Sequence, residues 1–159
     1  MKRIVLLCAL FLILCSGCGK AAQPSPDTAE LVRVVFDHGH GSMWGVQFFV
    51  DVTQTEIASV SHFIMVNDKA EYVTETGLPL AADRWDAIKN AVEELYPDLR
   101  PADSAKKKLF GGQQKLDGAE YRKLMLFWKQ GDAVEEISYL WPDCDAADAL
   151  EQVLESIAP

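Results

Sequence analysis

Asp37-His38-Gly39-His40 is the densest group of chemically capable side chains in the 159-residue chain. Two imidazoles and a carboxylate within four residues are donor types that hold Zn²⁺ or Cu²⁺. The glycines on either side of His40 predict a turn or loop, and a tetrahedral site built on it would need a further ligand from elsewhere. His62 is the only other histidine. The plainer reading is a solvated turn. No metal ligand and no cofactor is therefore assigned, and metal or small-ligand binding by the Asp37–His40 loop stands as the alternative reading.

The remaining candidates are weaker. Glu93-Glu94 and Glu135-Glu136 offer paired carboxylates, but sequence neighbours on a helix or strand do not face one another. Cys144 is flanked by Asp143 and Asp145, which oppose thiolate formation, so an inert, buried thiol is expected. Lys106-Lys107-Lys108, with Arg100 and Lys115 near in sequence, is a basic run that reads as a solvated loop or a weak patch for anionic envelope material. Trp44, Trp85, Trp128 and Trp141 are expected in the core or at its rim rather than as sugar platforms. No nucleophile elbow, zinc-protease motif, phosphate loop or dinucleotide fingerprint is present, and no catalytic residue is assigned.

The other three cysteines lie at the start. Lys2 and Arg3 precede an uncharged run, Ile4 to Gly19, that ends in Cys15-Ser16-Gly17-Cys18. Its apolar centre is shorter than the roughly 20 residues a membrane-spanning helix needs. A basic start, a short apolar centre and small residues before a cut describe a secretory signal. Ser16-Gly17-Cys18 resembles the lipobox of bacterial lipoproteins, with Leu14 displaced by one position from its usual place. The resemblance implies cleavage before Cys18, lipidation of that sulfur, and a palmitate-type acyl anchor facing outside the cytoplasm. Two acyl chains hold a protein on a membrane without any spanning helix.

Residues 1–17 then form the signal peptide, 18–29 the lipidated cysteine and a Pro/Ser-containing tether, and 30–159 a single domain. Losing residues 1–17 removes two cations and no acid, which moves the formal charge from −9 to −11. So acidic a surface argues against nucleic acid as a partner. Only Cys144 keeps a free thiol, so no disulfide within the chain is expected.

Hydrophobic periodicity sets the elements. Leu31–Phe36 is rich in β-branched residues, and Trp44–Thr53 alternates with period two. Glu56–Val66 and a short Ala70–Thr74 read as further strands. Trp85, Ile88, Val92 and Leu95 then recur three or four apart, giving an amphipathic helix from near Leu80 to Pro97. Asp98–Gly118 reads as a long loop. Tyr121–Trp128 and Val134–Trp141 form a hairpin about the Gly131 turn. A final helix opens at Pro142-Asp143, with Asp143 a possible cap, and buries Ala147, Leu150, Val153, Leu154 and Ile157.

This pattern predicts an α+β fold: a two-layer sandwich in which two amphipathic helices pack on one face of an antiparallel sheet, in the order strands, helix, strands, helix. The segments "GSMWGVQFFV", "LPLAADRWDAIKNAVEEL", "LDGAEYRKLMLFW" and "YLWPDCDAADALEQVL" are similar to a loose group of uncharacterised small bacterial surface lipoproteins. That resemblance implies a fold and a location and carries no functional residues. The expectation for function is a non-catalytic, lipid-anchored binding module for an envelope component or protein.

Overall fold

The computed structural model describes residues 23–40, 46–67, 69–102 and 120–159. The signal segment, Cys18, Trp44, the Lys106–Lys108 run and most of the expected long loop lie outside these residues. The described chain is α+β: a seven-stranded antiparallel sheet and two α-helices.

Strands β1 (Glu30–His40), β2 (Val46–Thr53), β3 (Glu56–Val66) and β4 (Lys69–Pro79) form a meander. Helix α1 (Ala82–Leu95) follows, continues as a short 3-10 turn at Tyr96–Asp98, and leads to β5, only Arg100–Pro101. Then come β6 (Glu120–Gln130), β7 (Ala133–Leu140) and helix α2 (Asp145–Glu155). The spatial order is β4-β3-β2-β1-β6-β7-β5, so β1 lies at the centre and pairs with β2 on one side and β6 on the other. Gly131, with φ of 62°, makes the tight reversal between β6 and β7, where a side chain would be strained.

Alternation assigns the two faces. Val34 and Phe36 of β1, Phe48, Val50 and Val52 of β2, Val60 of β3, and Leu124, Leu126 and Trp128 of β6 are buried. They share one core cluster with Trp85, Ile88, Val92 and Leu95 of α1 and Ala147, Leu150 and Leu154 of α2. The helices also touch each other. No helix among the described residues is long and apolar enough to cross a membrane.

Three expectations are corrected. Asp37–His40 is strand, not loop: β1 runs through His40 because β6 pairs with it as far as His40↔Glu120. The fourth strand is longer than Ala70–Thr74, since β3 pairs with it from Val66↔Lys69 to Glu56↔Pro79, with Gly77 supplying the φ of 68° that the path requires. Asp143 does not cap α2; Cys144 is the N-cap residue and makes no side-chain capping bond.

Residues 23–29, expected within the tether, contact the folded chain. Pro24 is buried, and its carbonyl accepts a 2.8 Å bond from the Tyr96 hydroxyl. The Gln23 side-chain amide donates to the Tyr139 hydroxyl at 3.1 Å, and Ser25–Thr28 closes a turn. Gln23 and Pro24 are thereby held against Tyr139 and Tyr96. Long-range contacts of this kind leave no periodic mark in a Pro/Ser-rich segment.

Candidate functional site

At the end of the sheet where β1 finishes, the face that carries Val34 and Phe36 turns polar. Phe48 stands opposite both His38 and His62 in the strand register, so a His–Phe–His row crosses β1, β2 and β3. Helix α2 lies over this row. Its Glu151 is among the buried positions with Ala147, Leu150 and Leu154, and only 8 % of it is exposed.

Glu151 is held from two sides. His38 Nδ1 lies 2.7 Å from one carboxylate oxygen, and Arg122 Nε, from β6, lies 3.1 Å from the other. An ionised carboxylate only accepts hydrogen bonds, so the short contact places a proton on His38 Nδ1. The helix carboxylate thus joins β1 to β6. His62 is different: its Nδ1 is buried with no hydrogen-bond partner among the described residues.

Two open grooves flank this chain of charges. One, of about 450 Å³, is lined by His38, Gln47, Phe48, His62, Phe63 and Glu155, with Ala158 and Pro159 at its end. The other, of about 630 Å³, is lined by Tyr121, Arg122, Trp141 and Asp148 among others. Trp141 packs against Phe36 at 4.7 Å between ring centres. The Tyr121 hydroxyl donates to Asp37 at 3.3 Å, and burial, followed by that carboxylate, raises its pKa.

The opposite face of the sheet carries a second candidate surface. Arg33 makes two short bonds to Asp51, at 2.7 and 2.6 Å, and its guanidinium sits 4.6 Å from the Phe127 ring centre. The Asp51 contact, more than any other influence, raises the arginine pKa. Phe63 and Tyr72 form an edge-on pair at 5.1 Å and remain 42 % and 45 % exposed. Val134 and Leu140 on β7 are exposed as well. Val35 is nonetheless buried on this face, between its cross-strand neighbours Asp51 and Met125.

The structure separates the residues that drew attention in the sequence. Asp37 and His38 are consecutive strand residues and point to opposite faces, one toward Tyr121 and the other toward Glu151. The cluster is thereby split. Trp85 and Trp128 are core, and Cys144 is partly buried against it. Among the described residues, no group of three or more His, Cys, Asp or Glu is placed to hold a metal ion.

Glu151 and Arg122 were missed by reasoning from the sequence. A signal for Glu151 was present: it falls between Leu150 and Leu154 on the apolar stripe of α2, where a carboxylate needs a partner. Nothing comparable marks Arg122. Comparison with protein-family models, curated proteins and solved structures returns no match for this chain.

Proposed function

We propose that this protein is a non-catalytic binding module, lipid-anchored at Cys18 and facing outside the cytoplasm. In this reading the domain is a two-layer sandwich with both helices on one face of the sheet, and the free face does the binding. The observation that carries the proposal is the exposed Phe63–Tyr72 pair on that face. Aromatic anchors of this kind dominate the energetics of protein interfaces. An envelope protein is the partner class that fits an anchored domain, and a net acidic chain does not suit nucleic acid.

Cross-linking of the full-length protein in intact envelope, followed by mass spectrometry, tests the reading. A stoichiometric protein partner that is captured by the wild type and lost in a Phe63→Ser/Tyr72→Ser variant is the expected result. A partner retained by that variant would move the binding surface elsewhere. Cys18→Ser is expected to release the protein from the membrane fraction; continued membrane association would remove the anchor from the proposal.

A second reading, small-ligand binding, is favoured by the groove between the His38–Phe48–His62 row and the end of α2.

A further inference from the structure

The geometry points to that groove as a site for a small organic cation: an amine carried on a compact apolar or aromatic body. Phe48, Phe63, Ala158 and Pro159 supply apolar walls, and the volume of about 450 Å³ lies within the range of small-molecule sites. The polar groups are few, as such a site requires: Gln47, the two imidazoles and Glu155.

Charge decides the ligand class. His38 and Arg122 are both turned to Glu151, so their positive character is already met by a carboxylate. Among the described residues Glu155 has no basic counterpart of this kind, and it is the last residue of α2, a helix with no basic side chain of its own in its last turn. Arg84 of α1 bonds only the neighbouring Ser156 hydroxyl, at 3.4 Å. The negative end of the helix dipole and the Glu155 carboxylate therefore act in the same direction at the rim of the groove. An ammonium group satisfies both, whereas a carboxylate ligand would meet repulsion. His62 adds a second sign of an incomplete polar arrangement. Its Nδ1 is buried without a partner among the described residues, so the ring edge that carries Nε2 is the one left to meet a ligand.

The groove shares Phe63 with the sheet-face reading, but the two are distinguishable, because neither Glu155 nor His62 belongs to that face. Calorimetric titration of the full-length protein with 2-phenylethylamine, 2-phenylethanol and phenylacetate tests it. Working at pH 8 keeps an ordinary imidazole uncharged and an ordinary alkylamine charged.

The amine should bind in preference to the alcohol and the acid. Glu155→Gln should weaken amine binding by about tenfold, the scale of one partly screened charge. Glu93→Gln, which removes an exposed acid on the other helix, should leave it unchanged. Glu155 is exposed, so its substitution does not threaten folding. Absence of amine binding at millimolar concentration would overturn the proposal. So would equal binding of the alcohol or the acid, or an amine affinity indifferent to Glu155→Gln.

Discussion

His38 and Glu151 come from the first strand and the last helix of the domain, and their side chains meet at 2.7 Å with only 13 % and 11 % of their surfaces exposed. The pair ties the end of β1 to α2 at the point where the apolar core gives way to the grooves. Removing one member of a buried pair strands the other. Glu151→Leu should therefore cost about 2–4 kcal/mol in urea unfolding, although leucine is apolar and of similar size. The double variant His38→Leu/Glu151→Leu should recover part of that loss. A single substitution costing less than about 0.5 kcal/mol would show that the contact contributes nothing to stability.

The Arg33–Asp51 pair is shorter and bidentate, yet it should matter less. Arg33 is 42 % exposed, so water and salt screen the interaction. Asp51→Asn should cost at most about 1 kcal/mol, and 0.5 M salt should shrink the difference further. A loss as large as that of Glu151→Leu would mean that exposure is a poor guide on this face.

Core packing gives the largest expected effect. Phe36 is fully buried at the centre of the sheet, between Phe48 and Trp141. Truncating a buried aromatic leaves a cavity that neighbours fill only partly, so Phe36→Ala should cost about 3–5 kcal/mol. The unfolding midpoint in urea, at unchanged slope, reads this directly.

Alkaline pH should lower the stability of the fold and remove the bond that the Tyr96 hydroxyl donates to the Pro24 carbonyl. Burial raises the pKa of Tyr139 and of Tyr96 above the ordinary tyrosine value, with Tyr139 adding to the effect on Tyr96. The folded state thus holds these protons more tightly than the unfolded chain. Their contribution is complete below about pH 10 and is lost as pH rises through the folded-state values. Stability measured from pH 8 to 11 should fall, and less steeply in Tyr139→Phe. An identical slope in that variant would assign the loss to other groups.

Gly131 isolates a purely conformational effect. Its φ is 62°, and a Cβ there would meet no atom within 4 Å. Gly131→Ala should cost about 1 kcal/mol through strain alone. Gly131→Asn should cost less, since asparagine tolerates the left-handed region. Equal costs for the two would mean that something other than backbone strain is being measured.

Much of the architecture was legible in the sequence because periodicity is a local property. The run Glu56–Val66 is the observed β3, and the α1 stripe of Trp85, Ile88, Val92 and Leu95 is the set of helix residues found buried. Ala147, Leu150 and Leu154 likewise mark the inner face of α2. The candidate site was not legible in the same way. Local composition made Asp37–His40 a glycine-rich turn, but pairing with β6 kept it extended and sent the side chains of Asp37 and His38 to opposite faces.

The sequence by itself determined most of the element types, the acidic charge and the apolar stripes, since each depends on composition or on spacing within a short segment. Only the tertiary structure decided which polar residues met. His38, Arg122 and Glu151 lie on separate elements, and their contact depends on strand order and on where α2 crosses the sheet. The docking of Gln23 and Pro24 on Tyr139 and Tyr96 was settled in the same way, by partners far apart in the chain. A buried charge or an aperiodic segment states a need for partners, and the fold decides which ones it finds.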